Sequence, residues 1–312
     1  MTDISLLQKR TSLILSHSPG VGTEVPPSLS SKDAFVRVNG LRTSYEDMWN
    51  YLSEKGYAPR QVEGVAGIFQ VRESISLLRD DEAIAQGKLY IQNPSSLLPV
   101  VALEPKPNDR VLDLCAAPGG KSAFVAERMQ NAGELVCVDV SRDRLYRLKA
   151  NFLRLNVLNA QVICKDGRFF RQQKPLFDRI LVDAPCSCES LIDFQDAKTY
   201  KHWSIRKIKE MSHKQKGLLL NASRLLRKGG TLVYSTCTLA PEENEEVVDY
   251  VLHKNSNLEL QPISWPVIPI YPALQEWEGD SYDASIQKCL RILPTQTFEA
   301  FFIAKFVLSS SS

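Results

Sequence analysis

The sequence predicts an open α/β sheet, because apolar strand-like runs alternate with amphipathic helical runs from residue 109 onward. The runs RVLDL, LVCVDV, AQVICKD, DRILVDAP and TLVYST are rich in leucine and β-branched residues, as expected for parallel strands covered on both faces. Stretches such as SRDRLYRLKANFLRLN and MSHKQKGLLLNASRLL lie between them and complete βαβ units. The predicted fold class is therefore a Rossmann-like α/β domain with a mostly parallel, doubly wound sheet.

Residues typical of helix ends support individual helices of this pattern. Ser141 precedes RDRLYRL as an N-cap, and Pro241 opens the helical run that ends in VVDYVLHK. Gly229 and Gly230 follow a helix predicted to end near Leu226.

The residues before this alternation divide into an arm and a small module. Residues 1–33 contain PPSLSSKD and little periodicity, which predicts an N-terminal arm or linker. Residues 34–92 contain the strand-like runs AFVRV and GIFQV around a helix capped by Ser44, and they predict a small α+β subdomain. Residues 93–312 are expected to form the α/β domain.

Composition bounds the class of protein. The 312 residues are 44% hydrophobic, yet no apolar run approaches the length of a membrane span, so no membrane partner is expected. Seven cysteines are too few and too odd in number for a disulfide framework, which favours a reducing cytoplasmic location. The net charge of +2 neither requires nor excludes a nucleic acid. Nothing in the sequence indicates an obligate protein partner.

The loop DLCAAPGGKS, residues 113–122, invites comparison with a phosphate-binding loop. A Walker pattern requires glycine where Cys115 stands, so this interpretation is disfavoured. What remains is a strand, a turn of small residues and a helix N-terminus, whose amides can approach a carboxylate or a ribose. A tight βα turn with glycines for geometry alone is the alternative.

Acidic residues follow the next two predicted strands. Asp139 lies about twenty residues after the glycine turn, where an acid grips ribose hydroxyls in dinucleotide-type folds. Asp166 ends the third strand, where a carboxylate could accept an adenine amino group. Each acid alone is typical of a helix cap, but together with the turn they predict a nucleoside-bearing cofactor. Since no G-x-G-x-x-G motif is present, S-adenosylmethionine fits better than NAD.

Cysteines follow two further strands, in DAPCSC (183–188) and STCT (235–238). Their spacing indicates only that they could face one substrate, and a lone cysteine at a strand end is usually buried and inert. The pair Cys186 and Cys188 could bind a metal, but no second Cys or His pair has suitable spacing. We therefore expect no metal site.

Three motifs in this order, LDLCAAPGGKS, VDAPCSC and STCTLAPEENE, resemble the Fmu/Sun/NSUN family of S-adenosylmethionine-dependent RNA cytosine carbon-5 methyltransferases. The resemblance runs from about Val36 to Phe306 and implies a class I methyltransferase fold, preceded by an RRM-like, ferredoxin-type RNA-binding subdomain. It also implies S-adenosylmethionine as cofactor and RNA as substrate, ribosomal RNA first and tRNA second. A DNA cytosine methyltransferase and a silent RNA-binding assembly factor are the alternatives.

The resemblance also implies roles for individual residues. Carbon 5 of cytosine is a poor nucleophile until a thiolate adds at carbon 6. By resemblance, Cys237 is that thiolate, Cys186 assists release, and Asp183 hydrogen-bonds ring nitrogen 3 and the exocyclic amine. Lys121 is the cation expected to assist Cys237. The implied cofactor pocket comprises Cys115, Ala116, Ala117, Pro118, Gly119, Gly120, Lys121, Asp139, Arg144, Asp166 and Asp183.

The chain departs from the family pattern at three places: Cys188 and Glu189 in place of a glycine-containing turn, Asn93 in place of an acid, and Glu299–Ala300 in place of Asp-Gly. The first departure is expected to affect the position of Cys186. Glutamates at 242, 243, 245 and 246 are expected to oppose the effect of a nearby helix N-terminus on the pKa of Cys237.

A basic stretch follows the DAPCSC loop. Residues 198–216 contain Glu210 as their only acid, with Tyr200 and Trp203 interleaved among lysines and arginines. Such a stretch can hold phosphates and stack a base, so we expect it to contact RNA. A solvated helix face is the alternative.

Overall fold

The computed structural model describes residues 4–17, 24–26, 28–29, 33–173, 176–265, 268 and 270–309. Helix α1 (Ile4–Ser16) comes first, although the sequence predicts an arm or linker over residues 1–33. Leu7 and Ile14 lie on one face of α1 and pack against Trp277 and Leu293. This part of the predicted arm is thus a packed helix, because its apolar residues recur at helical spacing and meet a distant partner.

The small subdomain has the element order βαββααβ, with two short helices before its last strand. Its sheet is antiparallel throughout, with the strand order β2-β3-β1-β4, which is the ferredoxin-type arrangement that the resemblance implies. Ser44 accepts a hydrogen bond from the Asp47 amide at the start of the first subdomain helix, as predicted. The elements are β1 (Ala34–Val38), α2 (Tyr45–Glu54), β2 (Arg60–Gln61), β3 (Ile68–Val71), α3 (Ile75–Arg79), α4 (Glu82–Ala85) and β4 (Leu89–Ile91).

The larger α/β domain contains the remaining regular elements. Its helices are α5 (Leu98–Leu103), α6 (Gly120–Arg128), α7 (Arg142–Leu155), α8 (Ala197–Tyr200), α9 (Ile205–Leu225) and α10 (Glu245–Lys254). Its strands are β5 (Arg110–Asp113), β6 (Glu134–Asp139), β7 (Ala160–Cys164), β8 (Phe177–Asp183), β9 (Leu226–Thr236), β10 (Leu258–Gln261), β11 (Ile270–Pro272), β12 (Glu276–Trp277), β13 (Asp280–Ser281), β14 (Leu290–Ile292) and β15 (Phe301–Leu308). None of the described helices is long and apolar enough to cross a membrane.

The main sheet is parallel at its centre and antiparallel at one side. Strands β9, β8, β5, β6 and β7 are parallel neighbours in that order. Strand β15 pairs antiparallel with β9, and β10 and β14 pair antiparallel with β15. Helices α5, α6 and α7 cover one face, and α9 and α10 cover the other. The predicted Rossmann-like, mostly parallel and doubly wound fold is confirmed.

The small subdomain packs one face of its sheet onto the α/β domain. Along β1, Val36 contacts the subdomain's own core, whereas Phe35 and Arg37 point the opposite way. The buried Arg37 guanidinium forms an ion pair with Glu127 of α6 and lies 4.9 Å from the ring centre of Phe124. An RRM stacks bases on its sheet face. Here that face is covered, so base stacking on it is excluded in this arrangement.

A buried ion pair joins α10 to the antiparallel side of the sheet. The guanidinium of Arg291 contacts both carboxylate oxygens of Glu245, at 2.7 and 2.6 Å, and donates to the carbonyl of Leu239 at 2.9 Å. Both side chains are almost completely buried. Neither charged group is accessible to water, so each offsets the desolvation cost of the other.

Arg291→Leu is expected to lower the free energy of unfolding by about 3–5 kcal/mol, because it leaves the Glu245 carboxylate buried without its cation. Urea denaturation followed by circular dichroism measures this change. Glu104→Gln is the matched control, since it breaks the exposed pair with Lys305 and is expected to cost no more than about 1 kcal/mol. Equal losses in the two variants would contradict the role assigned to the buried pair.

Candidate active site

The carboxyl ends of the parallel strands open into one cavity of about 450 Å³. Its lining includes these predicted site residues: Cys115, Ala117, Pro118, Asp139, Arg144, Asp166, Asp183, Cys186 and Cys237. An adjoining cavity of about 230 Å³ is lined by the others, Ala116, Gly119, Gly120 and Lys121, and shares Cys115, Ala117, Pro118 and Asp183 with the first. The structure thus gathers every predicted site residue around two adjoining spaces.

The glycine turn is held by Asp113, a residue whose role the sequence analysis does not predict. Its buried carboxyl group accepts hydrogen bonds from the Cys115 amide at 3.2 Å and the Ser122 hydroxyl at 2.7 Å. Burial raises the pKa of Asp113 to about 7. Gly119 has a φ of 104°, and a Cβ there would lie 3.2 Å from Phe152. Glycine is therefore required for backbone geometry and for close packing onto α7.

The two predicted cofactor acids are already engaged with the main chain. Asp139 is almost fully buried and accepts hydrogen bonds from the amides of Ala117 at 3.2 Å and Ser141 at 3.0 Å. Arg144 lies 3.4 Å from the same carboxylate. Asp166 pairs with Arg168 at 2.6 Å, and the hydrogen bond from Arg168 lowers the pKa of Asp166. A carboxylate can accept about four hydrogen bonds, so Asp139 keeps capacity for a ligand. Asp166 already has four contacts from Arg168, and a ligand would replace those of the guanidinium.

A lysine–aspartate pair separates the two cavities. Lys121 Nζ lies 2.8 Å from Asp183 Oδ2, and the Ser235 hydroxyl donates to Asp183 Oδ1 at 2.9 Å. Burial alone would lower the pKa of Lys121, but the charge and hydrogen bond of Asp183 outweigh burial and raise it. Lys121 therefore stays protonated beside the cysteines, and both oxygens of Asp183 are fixed in place.

Three cysteine thiols meet at the end of the larger cavity. Cys186 Sγ lies 3.3 Å from Cys237 Sγ and 3.8 Å from Cys188 Sγ. Residue 188 adopts a left-handed backbone conformation, with φ 58° and ψ 39°, that favours glycine. The structure therefore brings Cys186 and Cys237 to one point and adds a third thiol whose position the sequence did not predict.

The three thiols share hydrogen bonds that shift their pKa values in different directions. Hydrogen bonds with the neighbouring thiols, together with burial, raise the pKa of Cys186 well above its usual value. Hydrogen bonds with Cys186 and Cys237 lower the pKa of Cys188 to about 4. The hydrogen bond with Cys186 lowers the pKa of Cys237, but contact with Cys188 and burial raise it to about 12. The cluster thus favours one thiolate, held on Cys188 by hydrogen bonds from the other two thiols, and Cys237 must lose its proton before it can act as a nucleophile.

Glu189 ties the two cysteine loops together, a role the sequence did not predict. Its buried carboxylate accepts hydrogen bonds from the Thr238 hydroxyl at 2.9 Å and the Leu239 amide at 3.0 Å. The Ser190 amide also donates to the Cys237 carbonyl at 3.1 Å. Glu189, which departs from the family pattern, therefore fixes the position of Cys237 relative to Cys186.

The contacts of Glu189 also contradict part of the prediction made for the basic stretch, residues 198–216. The Trp203 indole donates to Glu189 Oε1 at 2.8 Å and is buried, and Tyr200 packs against the same cluster. The prediction that Trp203 stacks a base is therefore wrong, since its ring is part of a core. Lys214 on α9 does line the cavity.

The glutamates after Cys237 have distinct partners. Glu242 pairs with Arg10, Glu245 with Arg291 and Glu246 with Lys216. The fourth, Glu243, faces the cysteine loop, where it accepts a hydrogen bond from the Ser187 amide at 3.0 Å. Burial raises the pKa of Glu243 to about 8. Near neutral pH, these four glutamates therefore place less negative charge near a Cys237 thiolate than their number in the sequence suggests.

The other two departures from the family pattern lie beside each other. The Asn93 side chain accepts from the Ser95 amide at 2.9 Å and donates to the Thr297 carbonyl at 3.4 Å. The Ser95 hydroxyl donates to the Glu299 carbonyl at 2.8 Å. Burial and the nearby Cys237 raise the pKa of Glu299 to about 7, and Lys121 opposes this shift. Glu299 is thus a further acid at the active-site cluster.

Comparison with known proteins agrees with this arrangement. The family model described as 16S rRNA methyltransferase RsmB/F matches residues 100–307. A tRNA (cytosine(49)-C(5))-methyltransferase of Pyrococcus abyssi is 44% identical over 222 residues, which are 70% of either chain. A 28S rRNA (cytosine-C(5))-methyltransferase of Mus musculus is 35% identical over 285 residues, 89% of this chain but 35% of the mouse protein.

Solved structures share the whole fold. A methyltransferase homologue from Pyrococcus horikoshii has a TM-score of 0.77 at 33% identity, covering 89% of this chain and 87% of its own. NSun6 from the same organism, solved with SFG, has a TM-score of 0.80 at 21% identity and covers 100% of this chain and 99% of its own. The resemblance predicted from the three motifs is confirmed. This chain belongs to the 16S rRNA methyltransferase RsmB/F family.

Proposed function

We propose that the chain transfers a methyl group from S-adenosylmethionine to carbon 5 of a cytosine in RNA. The observation that carries this proposal is the 3.3 Å separation of the Cys186 and Cys237 sulfurs beside the Lys121–Asp183 pair. One thiol adds to the base and is then expelled, and a second titratable group in reach assists its expulsion.

The residues of the larger cavity fit a nucleoside-bearing methyl donor. Its volume of about 450 Å³ lies in the range of small-molecule sites. Asp139 and Asp166 offer acceptors to ribose hydroxyls and to an adenine amine. The glycine turn allows the close approach of a ligand. When bound, the donor supplies an electrophilic methyl group, which carbon 5 takes while the electron pair of the broken bond stays on the donor's sulfur.

The protein's own groups carry the remaining steps. Cys237 Sγ, as a thiolate, bonds to carbon 6, and the displaced π electrons make carbon 5 nucleophilic. Hydrogen bonds between the Asp183–Lys121 pair and the base, with nitrogen 3 accepting and the exocyclic amine donating, stabilise the charge that develops. After transfer, a base removes the carbon 5 proton, and its electron pair re-forms the double bond and expels Cys237. Cys186 is the proposed group that assists this expulsion.

The RNA is proposed to cross the face formed by α9 and the loop after β7. Basic side chains from both segments line a surface cavity of about 530 Å³: Arg168, Arg171, His213, Lys216 and Arg224. Residues 198–216 retain a phosphate-binding role in this proposal, without base stacking by Trp203. Residues 1–33, 34–92 and 93–312 are proposed as the N-terminal segment, an RNA-binding subdomain and the catalytic domain. The cytoplasm is the proposed location.

Ribosomal RNA is the proposed substrate, in keeping with the family model. A second candidate is tRNA, favoured by the name of the 44% identical archaeal relative. Incubation with methyl-labelled S-adenosylmethionine and unmodified rRNA, tRNA or DNA, followed by nucleoside analysis, tests both. We expect label in 5-methylcytidine from one RNA pool. Label in DNA, or no label despite measurable donor binding, would contradict the proposal and favour the DNA enzyme or the silent assembly factor.

Asp139→Asn is expected to weaken S-adenosylmethionine binding by roughly tenfold to a hundredfold, because a hydrogen bond to a charged acceptor is worth about 1.5–3 kcal/mol. Isothermal titration calorimetry measures the change. Asp143→Asn removes an exposed acid from the first turn of the neighbouring helix and is expected to bind as the wild type does. Unchanged affinity in Asp139→Asn would contradict the proposed contact with ribose.

A further inference from the structure

The three-thiol cluster has a geometry that methyl transfer does not require. The proposed reaction uses Cys237 and Cys186, and Cys188 has no part in it. All three sulfurs nevertheless lie within 4.8 Å of one another. A zinc-type cation binds thiolates at about 2.3 Å in tetrahedral geometry, which sets sulfur–sulfur separations of roughly 3.8 Å. The observed separations of 3.3 and 3.8 Å from Cys186 are close to that value.

The backbone at Cys188 gives a second, independent observation. A side chain in the left-handed region costs roughly 1–2 kcal/mol, a cost that glycine does not incur. Cys188 occupies this conformation, with its thiol 3.5 Å from the Cys186 carbonyl and turned toward the other two sulfurs. Strain of this kind persists where the side chain contributes something in return. Here the contribution is the third sulfur of the cluster.

The surrounding charges favour a cation at the cluster. The Asp183 carboxylate acts on Cys188, and Glu243 and Glu299 add negative charge near Cys188 and Cys237 as they ionise, since burial raises their pKa values to about 8 and about 7. Lys121 is the opposing cation that acts on Cys237. The cluster also lines the larger cavity, so a cation bound to three sulfurs would have room for a fourth ligand from solvent.

We propose that Cys186, Cys188 and Cys237 form a binding site for a thiophilic divalent cation of the zinc class. Three thiolates bind one cation, and each thiol that was protonated releases its proton to solvent. No electron transfer is involved. The expectation of no metal site rested on the absence of a second regularly spaced pair, and Cys237, distant in sequence, supplies the missing ligand.

Occupancy of this site would oppose methyl transfer. A cation bound to Cys237 Sγ takes the electron pair that must attack carbon 6, and it stands where the cytosine must enter. This consequence rests on the proposed function, whereas binding of the cation does not. The site therefore makes the enzyme sensitive to free thiophilic cations.

Cadmium ion is a direct probe, because its bonds to thiolates absorb in the near ultraviolet. We expect the fully reduced protein to bind one Cd²⁺ with thiolate charge-transfer absorption, and Zn²⁺ to displace it. Cys188→Gly should weaken binding at least about tenfold and lower the absorption in proportion to the thiolate lost. Glycine suits the backbone of residue 188, so this variant is expected to fold, and its far-ultraviolet circular dichroism checks that it does.

Controls separate this site from the other thiols and from the proposed function. Cys188→Ser keeps a residue other than glycine in the left-handed conformation but removes the thiol, so its Cd²⁺ binding should be as weak as that of Cys188→Gly. Cys164→Ser removes an exposed thiol outside the cluster and should bind Cd²⁺ as the wild type does. The optical titration needs neither RNA nor methyl donor, so a protein inactive in methylation still tests it. Equal Cd²⁺ affinity in Cys188→Gly and wild type, or no charge-transfer absorption in the reduced wild type, would overturn the proposal.

Discussion

Cys237→Ala is expected to reduce methyl transfer to RNA by roughly 10⁴-fold or more, as removal of a covalent nucleophile does in other enzymes. Without the sulfur at position 237, nothing adds to carbon 6, and carbon 5 stays unreactive toward the donor's methyl group. Single-turnover transfer of labelled methyl measures the effect. Donor binding should stay near the wild-type level, because the predicted donor contacts lie at the ends of β5, β6, β7 and β8.

Two controls check the prediction for Cys237→Ala. Cys164→Ser should retain wild-type transfer, since that thiol is exposed at an edge strand and does not line the cavity. Denaturing gels should reveal no protein–RNA adduct for Cys237→Ala. An adduct in this variant, together with none in Cys186→Ala, would reverse the roles of the two cysteines.

Cys186→Ala is expected to accumulate a covalent protein–RNA adduct while turnover falls by roughly 10²- to 10⁴-fold, the usual contribution of acid–base assistance. Its sulfur lies 3.3 Å from that of Cys237, close enough to assist expulsion of the attacking thiolate. Attack and methyl transfer do not require it. The measurement is the fraction of protein shifted on a denaturing gel with substrate RNA and S-adenosylmethionine.

Cys188 offers the matched control for that experiment, because it lies at a similar distance from Cys186 but is not a member of the proposed catalytic pair. Cys188→Gly should accumulate no adduct under the same conditions. Equal adduct in both variants would assign the release step to the cluster as a whole. A Cys186→Ala protein that turns over without adduct would contradict a role in release.

The architecture follows from local patterns, which explains why the sequence predicts it well. Parallel strands that are buried on both faces must be continuously apolar, and their carboxyl ends meet at one edge. The glycine turn, Asp139, Asp166, Asp183 and the two cysteine loops could therefore be expected to share a site. The helix predicted to end near Leu226 ends at Leu225, and Leu226 is already the first residue of β9.

Features that depend on partners distant in sequence could not be predicted. The sequence around Trp203 is rich in lysine and predicts an exposed ring, but the indole donates a hydrogen bond to the buried carboxylate of Glu189. Helix α1 lies in a segment that ends in a proline- and serine-rich run, and its packing surface includes Trp277. Strands β10 and β14 are likewise set by pairing with β15, which no local pattern reveals.

RNA containing 5-fluorocytidine shows whether Cys237 forms the covalent bond to cytosine. Fluorine cannot leave carbon 5 as a proton does, so the methylated adduct persists and its attachment site can be mapped by protease digestion and mass spectrometry. We expect methylated fluorocytidine attached to Cys237 in the wild-type protein. Attachment to Cys186 or Cys188, or a complete absence of adduct from RNA that the protein methylates when it is unfluorinated, would contradict it.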